Sequence, residues 1–293
     1  MASYDDIFAA PMEDTAPRQN LSKEEYAAKK KAERDAVYAL ADSTAAEVVS
    51  NGELFRIYLD LQAHFDRYSA TNTLLIMAQN GDATQLRDYD GWADKGVQVQ
   101  KKERGLSLLE PGDSYTTEDG KTGTYYDVKK VFDISQTNAR HRQQPPVHYD
   151  ERILLAALIA KRPVPIEMVD ELNTGAIYDH DQGKIFVRRG MEAPDIFRSV
   201  SLALARAELA GQAETYQPEK AAFQSYCVSY MLGRKYGIDV SAYRFEPLPE
   251  FLRGAEPQEI RRELSEIRDT MNTMSGRMAR AMEQAKSQKE RVR

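Results

Sequence analysis

The residues with the clearest chemical potential lie around Trp92, the only tryptophan in the 293-residue chain. A short segment follows in which Glu103 is the only acid and the cations are Lys95, Lys101, Lys102 and Arg104. Cations along a chain neutralise phosphates, and flat rings stack on unpaired bases, each stacked base being worth about 1–3 kcal/mol. The segment therefore has the composition of a site that grips a single-stranded nucleic acid.

Further side chains of both kinds occur in the first half of the chain. The flat rings are Tyr68, Tyr89, Trp92, Tyr125 and Tyr126, and the cations are Arg87, Lys95, Lys101, Lys102, Arg104, Lys129 and Lys130. Asn72 and Gln136 are able to donate and accept hydrogen bonds with bases or backbone. The alternative is that the ring packs in the core and the charges are only solvated. It stays open, because a lone tryptophan is more often a core residue and surface lysines usually have no partner but water.

The overall charge argues against a protein whose whole surface binds nucleic acid. Acids outnumber bases by 46 to 40, and the formal net charge is −6. A local basic patch is still compatible with this balance, because phosphate contacts depend on where Lys and Arg cluster.

The histidines do not form a recognisable metal-binding pattern. The histidines are His64, His141, His148 and His180. No pair of them has the spacing of two ligands on one helix face. His180 lies between Asp179 and Asp181 in a predicted hairpin turn, and these residue types are common in turns. We therefore predict no cofactor.

The cysteine count and the first residues indicate the compartment. Cys227 is the only cysteine, so an internal disulfide is impossible, which fits a reducing environment. The segment MASYDDIFAAPMEDTAP is acidic and lacks the features of a signal peptide. No run approaches the roughly 20 apolar residues of a membrane span. We expect a cytoplasmic protein without a membrane partner.

The elements that must position these residues divide the chain into two halves. Residues 1–20 are predicted as a flexible tail, and residues 21–139 as a domain of three helices followed by a small sheet. A capping box of Ser22 and Glu25 predicts the start of the first helix, and GVQVQ, GLSLLEP and YYDVKKVFDIS are the predicted strands. Residues 140–150 are polar, contain two prolines and are predicted as a linker.

Residues 151–255 are predicted as a second domain with a helix, a strand, a hairpin and two further helices. Residues 256–293 are predicted as one long helix. Its apolar residues recur at steps of four and three, which makes a heptad seam, namely Ile260, Leu264, Ile267, Met271, Met274 and Met278. We expect this seam to dock on the chain's own body. The alternative is a partner helix or a second copy, so the oligomeric state stays open.

The segment from Tyr68 to Thr137 resembles the N-terminal domain of ArdC-like antirestriction proteins. The shared pattern is YSATN before an apolar helix, then Gln and Ala-Thr, Trp92, a basic turn, LLEP and VFDISQT. Two departures are Asn80-Gly81, where a proline is usual, and Lys102, where the basic turn usually has glycine. The family is associated with single-stranded DNA binding and with protecting incoming plasmid DNA from host restriction.

The resemblance implies that the strip around Trp92 contacts DNA. The implied contact residues are Tyr68, Asn72, Arg87, Trp92, Lys95, Lys101, Lys102, Arg104 and Gln136. Alternatively, Trp92 and Asn72 recur in the family because they build the fold, and the basic turn is then the only contact.

The second half, from roughly residue 175 onward, resembles the C-terminal domain of the same family, which belongs with the ImmA/IrrE-like metallopeptidases. SYMLGRKYGID and YRFEPLPEFLRG are the most persuasive pieces of the match. In such zincin-like domains a helix with the pattern H-E-x-x-H supplies two zinc ligands and a base, and the next helix supplies a third ligand. Here the corresponding positions are Leu202, Ala203 and Arg206, followed by Gln224 and Tyr226.

The side chains at these positions are not suitable for zinc catalysis. Leucine and alanine have no donor atom, and a permanently charged arginine is not a metal ligand. We therefore predict a pseudoenzyme with a catalytically inactive metallopeptidase-like domain. Arg206 is expected to bind an acidic partner or a buried carboxylate instead, for example Glu208 or Glu219.

The prediction is an α+β protein in two domains that binds single-stranded DNA and acts in antirestriction for a mobile genetic element. A host defence or conjugation protein is a further expected partner. The alternative is a protein-binding antagonist that captures a host defence protein through its peptidase-like half or its terminal helix and does not contact DNA.

Overall fold

The structure, a computed structural model, describes residues 22–117, 119–120, 122–139 and 149–292. The predicted tail and residues 140–148 of the predicted linker lie outside this range. The described part combines α-helices with two small three-stranded sheets, which agrees with the predicted α+β class.

Three helices form the lead-in to the first sheet, namely α1 (Lys23–Val48), α2 (Gly52–His64) and α3 (Ala70–Asn80). The predicted capping box is present at the start of α1. The Glu25 backbone N–H donates to Ser22 Oγ over 3.2 Å, and the Ser22 N–H donates to Glu25 Oε2 over 2.8 Å. The bond from Ser22 lowers the pKa of the Glu25 carboxyl.

The first sheet is built around a long antiparallel hairpin of β2 (Leu106–Thr116) and β3 (Thr122–Asp133). A short strand β1 (Leu86–Arg87) pairs with the other side of β3, and the single-turn helix α4 (Tyr89–Ala93) follows it. The strand order is β1-β3-β2, so β2 is an edge strand.

The segment GVQVQ is not the strand that its alternation predicts. It makes one isolated bridge, between Val99 and Thr137. Its first residue, Gly96, has a positive φ of 68°, and Lys102, two residues beyond its end, has a φ of 70°. These two positions turn the backbone out of the extended conformation, so a continuous ladder does not form.

The second sheet contains β4 (Ile166–Val169), β5 (Ala176–Asp179) and β6 (Lys184–Arg188) in the order β4-β6-β5. The hairpin of β5 and β6 is antiparallel, as predicted, and β4 pairs with β6 in parallel. The helix α5 (Glu151–Ile159) precedes this sheet.

Two long helices and two further helices complete the fold: α6 (Ala193–Gln212), α7 (Pro218–Tyr236), α8 (Glu250–Arg253) and α9 (Pro257–Val292). The α7 helix ends at Tyr236 and is capped by Gly237, whose φ of 72° suits only glycine well. Within the described part of the chain, every helix is too short or too polar to span a lipid bilayer.

The heptad seam of α9 is buried on the chain's own body. Each seam residue is at most 1% exposed: Ile260, Leu264, Ile267, Met271, Met274 and Met278. The same hydrophobic cluster contains residues of α6 and α7. This packing agrees with the intramolecular interpretation of the seam.

The larger hydrophobic core draws residues from both halves of the sequence. Val48, Phe55 and Leu74 belong to the same cluster as residues of α6, α7 and α9. A smaller cluster lies under the first sheet and includes Leu75, Ile76, Leu106, Leu108 and Val131. Since apolar packing continues across the proposed boundary, the division into two domains stays a prediction.

Candidate nucleic-acid interface

The predicted basic turn forms a cationic loop in front of β2. We call Lys101, Lys102, Glu103 and Arg104 the cationic turn, and all four residues are exposed. Lys102 adopts the left-handed conformation, with φ of 70°, which costs a non-glycine residue roughly 1–2 kcal/mol. A lysine therefore occupies a position where the backbone favours glycine. The sequence departs from the family pattern at this residue, but the backbone keeps the conformation that glycine adopts.

Gln136 fixes the position of the cationic turn. Its Nε2 donates to the backbone oxygen of Arg104 and to Glu103 Oε2, both over 2.9 Å. Its Oε1 accepts from the Asp133 N–H over 3.0 Å. With its amide occupied in this way, Gln136 positions the turn, and direct contact of Gln136 with DNA stays a prediction.

Trp92 is part of the protein interior, with 3% of its surface exposed. Its indole N–H donates to the Phe132 oxygen over 2.9 Å. Asp88 caps α4 by accepting from the Gly91 N–H over 2.8 Å, which orients the turn that carries the ring. This geometry favours the interpretation in which Trp92 builds the fold, and it does not offer the ring as a stacking surface.

Asn72 is also a structural residue, with 8% of its surface exposed. Its amide exchanges two hydrogen bonds of 2.8 Å with the backbone N–H and C=O of Leu109. Gln79, seven residues later on α3, makes the same pair of bonds with Ser107, over 2.8 and 3.0 Å. The two amides attach α3 to the outer edge of β2.

A cleft of about 780 Å³ lies between the first sheet, the start of α3 and α9. We call it the arginine cleft. Its cations are Arg67, Arg87, Lys129, Arg261 and Arg268, its aromatic rings are Tyr38, Tyr68 and Tyr126, and its acids are Asp88 and Glu110. Of the predicted contact residues, the structure brings Tyr68, Asn72 and Arg87 together here, while Lys101, Lys102 and Arg104 lie on the cationic turn.

Lys129 bridges the two acids that line the arginine cleft. Its Nζ lies 3.0 Å from Asp88 Oδ2 and 3.0 Å from Glu110 Oε1. The bond with Asp88, and then that with Glu110, raises the pKa of Lys129, and the bond with Lys129 lowers the pKa of Asp88. Since these three charges are mutually paired, the arginines determine the remaining charge of the cleft.

The arginines are less completely paired. Among the described residues, neither Arg67 nor Arg87 has a carboxylate within ion-pair distance, and the buried Nε of Arg87 has no hydrogen-bond partner. The Arg87 guanidinium carbon lies 5.7 Å from the centre of the Trp92 ring. Burial raises the pKa of the Tyr68 hydroxyl, so this group remains a neutral donor. The cleft is therefore locally positive and able to donate hydrogen bonds.

The sequence interpretation missed the cations that α9 and the α2–α3 connection supply, namely Arg67, Arg261 and Arg268. A usable signal was present, because Arg261, Ser265 and Arg268 recur at steps of four and three beside the heptad seam. Such a stripe faces one neighbour along its whole length. The remaining predicted ring candidates include Tyr89, which is 61% exposed, and Tyr125, which is 51% exposed. Lys95 is exposed too.

In the second half, the positions that correspond to a zinc motif lie on α6. Ala203 is fully buried and Arg206 Nε donates to Ser225 Oγ over 3.3 Å. The expectation that Arg206 binds Glu208 is wrong, because Glu208 forms an ion pair with Arg277 of α9. The contact of Arg206 with Glu219 is likewise not formed. Leu202 is only partly buried.

The corresponding positions on α7 are engaged by α9 and by the segment before α8. Gln224 Nε2 donates to Glu263 over 3.0 Å and to Glu266 over 2.8 Å. The Tyr226 hydroxyl accepts from the Arg244 N–H over 2.8 Å. In the described ranges, no group of three or more His, Cys, Asp or Glu side chains is placed to hold a metal ion.

His180 belongs to the turn between β5 and β6. Its ring stacks on that of Tyr216 with centroids 4.4 Å apart. Asp179 accepts from the backbone and side-chain amides of Gln182, both over 2.9 Å, which is the expected turn chemistry.

Neither a protein-family model nor a curated protein matches this sequence. Solved structures do match, among them two of the antirestriction protein ArdC from plasmid R388. The Mn(II)-bound structure has a TM-score of 0.54 and 13% identity, and the match covers 84% of this chain and 97% of ArdC. For the metal-free structure the TM-score is 0.49 and the identity 16%, with 73% and 86% covered. The chain therefore has the fold of ArdC, and the resemblance predicted from its sequence is confirmed at the level of the fold.

Proposed function

We propose that this protein binds single-stranded DNA and serves a mobile genetic element as an antirestriction-type protein. The shared fold supports the comparison with ArdC, an antirestriction protein from plasmid R388. The observation that carries the proposal is the cationic turn. Lys101, Lys102 and Arg104 are exposed on it within a chain of net charge −6, and Gln136 holds its backbone in place.

The chemistry of such a surface is sequence-independent attachment. Lysine and arginine side chains displace counterions from phosphates, which makes affinity fall steeply as salt rises. The exposed rings of Tyr89 and Tyr125 are available for stacking on unpaired bases. This division assigns DNA contact to exposed residues and structural support to Trp92, Asn72 and Gln136.

We also propose that the second half has no peptidase activity. The related ArdC has been solved with Mn(II), but the donor set here does not fit a metal of that kind. Leu202 and Ala203 lack donor atoms, and the Arg206 guanidinium repels a cation. The amide of Gln224 is already bound by two carboxylates of α9. This half is therefore assigned a role in packing and in presenting α9.

The test is a titration of the full-length protein with a short single-stranded oligonucleotide at several salt concentrations. The full chain is required because α1, α2 and α3 contribute to the core that contains α6, α7 and α9. In the variant Lys101→Glu/Lys102→Glu/Arg104→Glu we expect much weaker binding. The slope of log affinity against log salt should fall in magnitude by about 2, because each phosphate contact to a single strand contributes about 0.7.

The matched control is Lys23→Glu/Lys29→Glu/Lys31→Glu on the exposed surface of α1, which changes net charge by the same amount. Equal reductions in the two variants would show that net charge, and not the cationic turn, determines binding. Absence of binding by the unmodified protein would favour the protein-binding antagonist instead.

A further inference from the structure

The polar stripe of α9 forms one wall of the arginine cleft. Arg261, Ser265 and Arg268 all line it, opposite the start of α3 and the first sheet. The stripe continues to Asn272, whose Nδ2 donates to the Asp66 oxygen over 2.8 Å, and Arg268 Nη2 donates to the Arg67 oxygen over 3.2 Å. These bonds hold α9 against the connection between α2 and α3, so the cleft has contributions from both halves.

Each arginine of this wall is paired with one acid, Arg261 with Asp42 and Arg268 with Asp269, the latter over 2.6 Å, and each keeps one nitrogen without a hydrogen bond to any described residue. Arg261 Nε lies 2.9 Å from Asp42 Oδ1 but without the geometry of a hydrogen bond, and its guanidinium lies over the Tyr38 ring at 5.6 Å. The buried Nε of Arg268 has no hydrogen-bond partner in the described part of the protein. Arginine forks of this kind bind phosphate oxygens through two parallel N–H groups.

The charge balance of the cleft selects an anionic ligand. Lys129 bridges Asp88 and Glu110, and the four arginines outweigh the acids that line the cleft. Asp42 beside Arg261 and Asp269 beside Arg268 reduce this positive charge but do not cancel it. Tyr68 and Tyr126 lie beside these arginines. A cleft that holds both cations and flat rings fits a strand with phosphates and exposed bases better than an isolated phosphate, which has no surface for the rings.

We propose that single-stranded DNA passes through the arginine cleft and that Arg261 and Arg268 of α9 bind its phosphates. The DNA site then consists of residues from the first half of the chain and from the terminal helix. The proposal rests on the proposed function and extends it from the cationic turn to a second contact region. It also assigns the peptidase-like half a direct part in DNA binding.

The test uses the full-length protein and a short oligo-dT strand. The variant Arg261→Gln/Arg268→Gln should lower the magnitude of the salt slope by about 1.4, because it removes two phosphate contacts and each contributes about 0.7. Arg261→Lys/Arg268→Lys retains the charges and should restore most of the slope. The control Arg262→Gln/Arg280→Gln removes two exposed arginines from other faces of α9 and should leave the slope unchanged.

A slope in Arg261→Gln/Arg268→Gln equal to that of the unmodified protein would overturn the proposal while leaving the function of the cationic turn intact. If the unmodified protein does not bind oligo-dT, the proposed function itself fails. If a mononucleotide displaces oligo-dT at equal phosphate concentration, the cleft holds a small ligand and the assignment to a strand is wrong.

A second readout needs no variant. Trp92 is the only tryptophan, and the guanidinium of Arg87 in the cleft lies 5.7 Å from its ring. Phosphates that recruit Arg87 should change the emission of Trp92 as oligo-dT is added. Unchanged emission at saturation would contradict passage of the strand through the cleft, even if the arginine variants fail to fold.

Discussion

The two polar flanks of α9 carry opposite charges and have different surroundings. On one flank, Arg261 and Arg268 face the open arginine cleft of the first half. On the other, Glu263 and Glu266 face α7, where Lys220 Nζ lies 2.6 and 3.0 Å from them. The buried seam separates the two flanks.

The difference lies in how completely each set of charges is satisfied. Burial alone would lower the pKa of Lys220, but the bonds with Glu263 and Glu266 outweigh this effect and raise it. The amide of Gln224 adds two further bonds to the same carboxylates. The carboxylates of the acidic flank are therefore bonded to α7, whereas Arg261 and Arg268 line an open cleft and, although each is paired with one acid, each keeps a nitrogen without a hydrogen bond to the described residues. Binding capacity depends on the donors left without partners more than on the number of charges.

The largest expected effect comes from loosening the seam that holds both flanks in place. Leu264 is 1% exposed, so Leu264→Ala should lower the free energy of unfolding by about 2–5 kcal/mol. Chemical denaturation measures this decrease. The exposed substitution Met168→Ala in β4 is the control and should have little effect. An equally small decrease in Leu264→Ala would mean that α9 does not depend on its own seam.

A smaller effect is expected from the acidic flank alone. Glu263→Ala leaves Lys220 and Gln224 short of an acceptor, which should cost about 1–3 kcal/mol of unfolding free energy. DNA affinity and its salt slope should not decrease, because this flank is assigned no phosphate contact. The control Glu283→Ala, at an exposed position of α9, should change stability by less than about 0.5 kcal/mol. A reduced salt slope in Glu263→Ala would remove the distinction between the flanks.

The smallest effect is expected from a single substitution in the cationic turn. Lys102→Gly relieves the left-handed backbone and should raise the free energy of unfolding by about 1 kcal/mol. It should also reduce the salt slope by about 0.7, because the turn then has one cation fewer for phosphates. The control Lys101→Gly removes the same charge at a neighbouring position where φ is not positive, so the slope should fall and stability should not rise. Equal stability changes in the two variants would show that Lys102 is not strained.

The sequence predicted those features that local patterns determine. The capping box at Ser22, the seam from Ile260 to Met278 and the hairpin of β5 and β6 each follow from spacing within a few turns or one strand pair. It left open whether Trp92 is buried, and it did not predict the cleft, because both depend on which distant elements meet. Phe132 receives the indole N–H from forty residues away, and Arg67 meets Arg268 across two hundred residues.

The outward backbone groups of Ser107 and Leu109 are occupied by amide side chains of α3. Asn72 and Gln79 thus take the place of a neighbouring strand along this part of β2. The edge strand has no free backbone groups at Ser107 and Leu109 with which another polypeptide could pair. Beyond Pro111 the same strand continues into an exposed arm. Any chain that pairs with the β2 edge of this sheet is thereby confined to the distal arm.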